Sequence, residues 1–282
     1  DLRADAINAA RSVDAESISA IRELNGQLRQ LLSYWFTVGF LDIEQVTWSS
    51  PCAMLQKVSD YEAVHPMRNW TDLKARVGPY RRCFVYTHRS MPGEPIVVLH
   101  VALTNTIPGN ISSVVKHHRL VKKFSVDNSQ LGSDKTFGRE GEDPDLCSTA
   151  IFYSITSTQT GLQGIELGTY LIKQAVRELK AEFPKMSQFS TLSPIPGFRS
   201  WMLASLNRAM RGEAVVFTDQ EKDRIAEAFQ NDVSDDSFFD TLIAALKSNR
   251  WIQNDRLVQA LETPLMRLCA QYLYSEKRRN NA

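Results

Sequence analysis

The sequence has few of the features that mark metal-binding, membrane-spanning or nucleic-acid-binding proteins. Its four cysteines and five histidines include no CxxC pair and no zinc-finger spacing, so no metal site is predicted. No apolar run approaches the roughly 20 residues that a transmembrane helix needs. The net charge of +1 argues against a nucleic-acid-binding surface. We therefore expect neither a membrane nor a nucleic acid as a partner, and we expect the cysteines to be free thiols, namely Cys52, Cys83, Cys147 and Cys269.

No signal or transit peptide is visible in this sequence. The chain begins at Asp1 without a methionine, and we expect this start not to be the native one. The 282 residues, 43% hydrophobic and 23% charged, have the composition of a globular protein with one large domain or two modest ones.

The most informative segment contains a strand, a glycine turn, a helix and a second strand, in that order. β-Branched and aromatic residues predict a buried strand over 148–155, followed by a turn over 161–168. An apolar face predicts a helix from about Ile165 to Phe183, and a further strand over 189–192 leads to Ser193. A glycine turn at a helix N-terminus offers free N–H groups and roughly half a positive charge to an anion. The segment therefore predicts binding of a phosphorylated ligand.

Taken alone, the turn sequence from Gln163 to Gly168 is weak evidence for phosphate binding, because its two glycines could serve packing only. It is not a Rossmann motif, which needs GxGxxG, nor a Walker A motif, which needs Gly-Lys-Ser/Thr. The order strand, phosphate turn, helix, strand, with glutamine at the turn, is similar to the pyrophosphate-binding segment of GNAT acyltransferases. That resemblance implies CoA pyrophosphate on the helix N-terminus and the pantetheine arm between the two strands.

Several other elements are predicted from periodicity and turn residues. We expect an amphipathic helix over 15–36, a short helix within 68–80, a hairpin of 82–88 with 96–104, and a long mobile loop over 119–147. Helices are further predicted over 199–210, 218–229, 237–248 and 256–261, with a separate last helix that opens at Thr263-Pro264.

Individual serines and histidines give little evidence of catalysis. Ser193 lacks the Gly-x-Ser-x-Gly context of a nucleophile elbow, and a turn or cap serine before Pro194 is the favoured interpretation. His100 alternates with apolar residues in a strand, which predicts a partly buried histidine with satisfied hydrogen bonds. The pair His117-His118 is expected to be solvated.

Motifs along nearly the whole chain resemble the malonyl-CoA decarboxylase family. They are Val46–Cys52, Ala63–Pro66, Asn69-Trp70, Arg76–Cys83, Pro92–Pro95, Val97–Leu103, Ala150–Ile155, Gly161–Gly164, Glu166–Thr169, Leu192–Phe198, Thr263–Cys269 and Tyr272–Tyr274. The resemblance implies a mixed α/β fold, with a GNAT-type catalytic domain over 37–282 that is incomplete at its C-terminus. Residues 1–36 would then be the end of an all-helical N-terminal domain.

The resemblance also implies the site residues. The implied substrate-binding residues are Gln163, Gly164, Ile165, Glu166, Leu167, Gly168, Thr169 and Ser193. Ser193 is the implied catalytic residue, paired in the family with a histidine in a segment of the type N-F-H-L-x-N-G-A, which we expect beyond Ala282. None of the five histidines present has that context.

The implied activity is that of a carboxy-lyase, which converts malonyl-CoA to acetyl-CoA and carbon dioxide. It needs no cofactor, because the thioester carbonyl is itself the electron sink. A homo-oligomer in the mitochondrial matrix is expected, with peroxisome and cytoplasm as alternative locations. Two other functions stay open on the residues alone: an acyl-CoA-dependent N-acetyltransferase, and a non-catalytic acyl-CoA-binding fragment.

Overall fold

The computed structural model describes residues 2–9, 15–115, 142–229 and 237–276. The chain divides into two compact units, Asp1–Ser193 and Pro194–Ala282. The first contains a sheet with helices on both faces, and the second is helical. Among the described helices, none has the length and apolar character to cross a membrane.

The first unit is built on a five-stranded sheet in the order β1-β2-β3-β4-β5. Strands β1 to β4 pair antiparallel, whereas β5 runs parallel to β4. The strands are β1 Leu41–Val46, β2 Arg81–His88, β3 Val97–Thr104, β4 Thr149–Ser157 and β5 Gln188–Thr191. The parallel pair is joined by a crossover helix, as parallel strands require. This arrangement confirms the predicted mixed α/β fold class and the predicted hairpin of β2 with β3.

The helices agree with the predicted pattern at most positions. In the first unit they are α1 Leu2–Ala9, α2 Ala15–Trp35, α3 Cys52–Tyr61, α4 Trp70–Arg76, α5 Ile111–Val115 and α6 Leu167–Glu182. In the second unit they are α7 Phe198–Met210, α8 Asp219–Ala228, α9 Phe238–Lys247 and α10 Asp255–Gln271. The crossover helix α6 begins two residues after the predicted start. Strand β1 and helices α1, α3 and α5 were not predicted.

Two apolar layers hold the sheet. On one face, Leu171 and Leu179 of α6 pack against Leu99 and Val101 of β3, and all four are fully buried. On the other face, helices α3 and α4 pack against β2 and β3. Because successive strand residues point to opposite faces, His100 lies on the side opposite α6. Helix α6 and the His100 side chain thus lie on opposite faces of the sheet.

One prediction about the second unit is wrong. Helix α10 runs unbroken from Asp255 to Gln271 with Pro264 inside it, so no new helix opens at Thr263. A proline in a helix interior removes one backbone hydrogen bond and crowds the preceding turn. Here Pro264 is buried, and Leu261 and Leu268 on the same helix belong to the apolar core of this unit. Burial of that face outweighs the local cost of the proline.

The predicted loop over 119–147 falls mostly outside the described residues, and so do His117 and His118. Its described end contains a 3-10 helix, Pro144–Leu146, where no element was predicted. Just before it, the Glu142 carboxylate accepts hydrogen bonds from Arg82 and from the backbone N–H of Tyr80. The domain boundary at residue 36 stays a prediction.

Candidate functional site

The predicted phosphate turn lies between β4 and α6. A short 3-10 helix, Thr160–Leu162, follows the strand, and the Ile165 N–H donates to its last carbonyl at 3.1 Å. Gly164 has a φ of +77°, a conformation that costs glycine little and other residues more. The turn thus folds back so that α6 starts at Leu167.

The N-terminus of α6 has no side-chain cap and faces solvent. Glu166 is its N-cap residue, but its side chain makes no capping hydrogen bond. The first N–H groups of a helix have no partner within the helix, and the dipole concentrates positive charge there. Gln163, Gly164, Glu166 and Thr169 are all exposed around this end. The arrangement can accept an anion from solvent.

Gly168 allows the helix to lie close to the strand before it. A Cβ atom at this position would stand 2.9 Å from Cδ1 of Ile155 on β4, closer than two carbon atoms normally approach. A side chain here would push α6 away from β4. The turn sequence therefore places its second glycine where the helix and the strand meet.

The two parallel strands separate next to this turn. Only Thr149 to Phe152 of β4 pair with β5, and the Leu192 N–H donates to the Phe152 carbonyl at 2.8 Å as the last contact of the ladder. Strand β4 continues to Ser157 without β5 beside it. Ser193 follows directly where β5 leaves the ladder, and it is exposed. The structure thus places Ser193 at the opening of the gap between the strands.

Two arginines reach the turn from the N-terminal helices, and sequence reasoning missed both. The buried Arg3 of α1 donates from Nη1 to the Gly161 carbonyl at 2.6 Å. Arg29 of α2 donates from Nη2 to the Gly164 carbonyl at 2.8 Å. Burial and the charge of Arg29 together lower the pKa of Arg3. No sequence pattern links residues that lie 158 and 135 positions apart.

A carboxylate holds the strand end that precedes the turn. Glu94 accepts a hydrogen bond from the Tyr61 hydroxyl at 2.6 Å and pairs with Lys57, both on α3. The Gln159 amide, just after β4, also donates to Glu94, at 3.4 Å. The hydrogen bonds from Lys57 and Tyr61 lower the pKa of Glu94 below its usual value. Helix α3 is thereby joined to the residues that lead into the turn.

A separate cluster of polar side chains is buried on the opposite face of the sheet. The Glu62 carboxylate accepts hydrogen bonds from the Ser154 hydroxyl at 2.7 and 2.9 Å and from the His65 N–H at 2.7 Å. His100 Nε2 lies 3.4 Å from Glu62 Oε2. Ser154 stands opposite His100 because a β-bulge at Tyr153 shifts the register of β4.

The prediction for His100 is corrected by this cluster. The ring is fully buried rather than partly buried, and neither nitrogen meets hydrogen-bond geometry with a described residue. The cause is its location between the sheet and the segment after α3, where a single carboxylate is its nearest charged partner. Sequence alternation alone showed which face His100 occupies, not what covers that face.

Comparison with known proteins shows the family of this chain. The family model for the malonyl-CoA decarboxylase C-terminal domain matches residues 39–282. The chain belongs to the malonyl-CoA decarboxylase family. Among curated relatives in this family, the mitochondrial malonyl-CoA decarboxylase of the rat is 48% identical over 283 residues, which cover 100% of the chain and 53% of that protein. The mitochondrial enzyme of the goose Anser anser anser is 46% identical over 286 residues, with 100% and 52% covered.

Solved malonyl-CoA decarboxylase structures share the fold. The Agrobacterium vitis protein superposes with a TM-score of 0.67 at 27% identity, covering 96% of the chain and 55% of that structure. The Cupriavidus metallidurans protein gives a TM-score of 0.62 at 29% identity, with 98% and 57% covered. The chain thus spans about half the length of the relatives it matches.

Proposed function

We propose that this chain is part of a malonyl-CoA decarboxylase and that its first unit binds malonyl-CoA. In this proposal, residues 37–282 belong to the GNAT-type catalytic domain and residues 1–36 to a preceding helical domain. The observation that carries it is an open, glycine-lined helix N-terminus beside two diverging parallel strands, in a chain of this family. Such an end suits the CoA pyrophosphate.

The substrate would lie along the edge of β4. Its pyrophosphate accepts hydrogen bonds from the backbone of Gln163 to Thr169, where Gly164 has no side chain in the way and Gly168 lets α6 lie close to β4. Its pantetheine arm enters the gap that opens beyond Phe152. The thioester then points toward the end of β5, where Ser193 lies.

The chemistry breaks the bond between the α-carbon and the carboxylate carbon of the malonyl group. Carbon dioxide leaves, and the electron pair moves into the thioester carbonyl as an enolate. A hydrogen-bond donor must stabilise that oxygen, and an acid must deliver a proton to the α-carbon. We propose that Ser193 donates to the substrate and exchanges protons with a histidine from a segment of the type N-F-H-L-x-N-G-A, which this sequence does not contain.

The binding part is tested with Gly164→Val and Gly168→Val. Both should weaken CoA binding in calorimetry, because a β-branched side chain at position 164 keeps the pyrophosphate from the backbone, and one at position 168 pushes α6 away from β4 and so displaces the turn. Gly212→Val is the matched control for Gly164→Val, since Gly212 likewise has a positive φ, +74°, and lies in the second unit with nothing within 4 Å of an added Cβ. Unchanged CoA affinity in folded Gly164 and Gly168 variants would refute this assignment.

The catalytic part is tested by carbon dioxide release from malonyl-CoA. The chain alone should bind but release little, whereas a version extended by the histidine segment should turn over. In that version Ser193→Ala should lose roughly 100- to 10,000-fold in kcat, the usual contribution of general acid–base groups. Robust turnover by the chain alone would show that another residue supplies the acid. Acetyl transfer to an added amine would instead favour an N-acetyltransferase.

Location and assembly are further parts of the proposal. Relatives from rat, goose and mouse are named mitochondrial enzymes, which supports a place in the mitochondrial matrix. We also propose a homo-oligomer. Fractionation of cells that express the natural protein, and light scattering of the purified protein, measure these two properties.

A further inference from the structure

Arg29 lies against the phosphate turn in an unusual way. Its guanidinium does more than donate to the Gly164 carbonyl: it covers the open side of Gly164. A Cβ atom built on Gly164 would stand 3.6 Å from Nε and 3.7 Å from Cζ of Arg29. The guanidinium therefore lies directly beside Gly164, at van der Waals distance from the position that a side chain there would occupy.

The charge of Arg29 is not neutralised within the part of the chain that the structure describes. No described carboxylate forms an ion pair with it, and its hydrogen bond to the Gly164 carbonyl uses one of five N–H donors. The side chain is exposed, so the remaining donors are open to solvent. An exposed arginine could satisfy them with water alone, but a second arginine, Arg3, lies close enough to Arg29 for the two charges to interact.

A second cation close by makes this arrangement unfavourable without an anion. Arg3 is buried, and its side chain is committed to the Gly161 carbonyl at 2.6 Å and to the Asn25 amide oxygen at 3.0 Å. The charge of Arg29 is near enough to lower the pKa of Arg3. The positive end of the α6 dipole lies at the same turn. Arg3, Arg29 and the positive end of α6 thus lie at one turn, where the exposed carboxylate of Glu166 is the nearby negative group. None of the described ion pairs joins Glu166 to either arginine, so a negative ligand at the turn would relieve the repulsion between them.

We propose that Arg29 is a substrate-binding residue that contacts a phosphate group of CoA through the free side of its guanidinium. This inference rests on the proposed function, since it presumes that CoA occupies Gln163 to Thr169. The planar fork of a guanidinium matches two phosphate oxygens at once. Arg3 acts differently: it holds the Gly161 carbonyl and so positions the turn. The N-terminal helices would then supply part of the CoA site directly.

The test compares Arg29→Gln with Arg22→Gln by calorimetric titration with CoA. Arg22 is exposed on the same helix, about 10 Å farther along its axis, so its substitution removes the same charge without the contact. Arg29→Gln should weaken CoA binding roughly 10- to 100-fold, the usual effect of losing a charge-assisted hydrogen bond. Arg22→Gln should change it less than about 2-fold at physiological salt, because charges about 10 Å apart are largely screened there.

A second readout separates ligand binding from a structural role. Without CoA, Arg29→Gln should unfold close to the parent's temperature, because the lost bond is exposed and a like-charge repulsion goes with it. Saturating CoA should then raise its unfolding temperature less than that of the parent. Arg29→Lys, which keeps the charge but not the fork, should bind with intermediate affinity.

Titration with dephospho-CoA, which lacks the 3′-phosphate, shows which phosphate group of CoA Arg29 contacts. If Arg29→Gln still loses affinity for it, the contact is to the pyrophosphate; if the loss disappears, the contact is to the 3′-phosphate. Equal CoA affinity in Arg29→Gln and Arg22→Gln, with binding still lost in Gly164→Val, would overturn this inference alone. A parent chain that does not bind CoA would overturn the proposed function, and this inference with it.

Discussion

Replacing His100 by glutamine should reduce the sensitivity of the first unit to mild acid. Burial lowers the pKa of His100 to about 4, although the Glu62 carboxylate opposes this shift, and the charges of Arg76 and His65 add to it. Burial would raise the pKa of Glu62, but His100 and hydrogen bonds from His65 and Ser154 hold it below its usual value. The folded protein therefore keeps His100 neutral beside an ionised carboxylate.

The size of the effect follows from the two pKa values of the histidine. In the unfolded chain its pKa is the usual 6.5, against about 4 when folded. Between pH 7 and pH 5 the unfolded chain takes up a proton that the folded protein does not. The free energy of unfolding should therefore fall by about 2 kcal/mol over this interval because of His100 alone. The loss should approach about 3 kcal/mol near pH 4.

The measurement is urea unfolding of the parent and His100→Gln at several values between pH 7 and pH 5. Glutamine keeps a polar side chain near Glu62 but takes up no proton, so its curve should be flatter than the parent's by about 2 kcal/mol. His88→Gln is the control, since His88 at the end of β2 is only half-buried. An equal dependence on pH in parent and His100→Gln would refute the reasoning. If the variant does not fold, the ring proton shifts of His100 in the parent, which should not titrate above pH 5, test the same point.

Three further substitutions probe stability by urea or thermal unfolding. Arg82→Met should destabilise the first unit by about 3 kcal/mol or more, because it leaves the nearly buried Glu142 carboxylate without its cation. A loss of stability below about 1 kcal/mol would contradict a structural role for this ion pair. Pro264→Ala should stabilise the second unit by roughly 1 kcal/mol, since a regained helix hydrogen bond outweighs the lost packing of the ring. A destabilised variant would show that the packing of the ring contributes more than the hydrogen bond. Gly197→Ala should destabilise that unit by more than about 1 kcal/mol, because φ is +81° and the new Cβ would overlap the Tyr272 hydroxyl. Equal unfolding of that variant and the parent would contradict this.

The predicted part of the fold was the part with local signals. The strand, turn, helix and strand from Thr149 to Thr191 were recognisable because β-branched residues, glycines and an apolar helix face follow one another in the chain. Strand β1 carried a weaker signal: Leu41 and Ile43 alternate with acidic residues, but only two apolar positions share one face. Pro264 misled the prediction because its local preference opposes a helix that tertiary packing stabilises.

The contacts that define the candidate site were predictable only in part. The turn backbone is a property of its own sequence, and Gly164 and Gly168 lie where the motif predicts. The contacts of Arg29 with Gly164 and of Arg3 with Gly161 join residues 135 and 158 positions apart. No periodicity or spacing in a single sequence encodes such pairs, because they arise only when separate elements pack.

The contact of Arg3 with the turn has a thermodynamic consequence for the start of the chain. Helix α1 has eight residues, too few to persist by its own propensity in water, so its order depends on tertiary contacts. One of these is the Arg3 side chain, which joins α1 both to Gly161 and to Asn25 of α2. Whatever stabilises the turn should stabilise α1 by the same coupling free energy, and the coupling acts equally in the other direction. At a concentration 100 times its dissociation constant, a ligand of the turn adds about 2.7 kcal/mol to the stability of the state that binds it. The rate at which a protease cleaves within the first ten residues would then report, from a distance along the chain, how fully that turn is occupied.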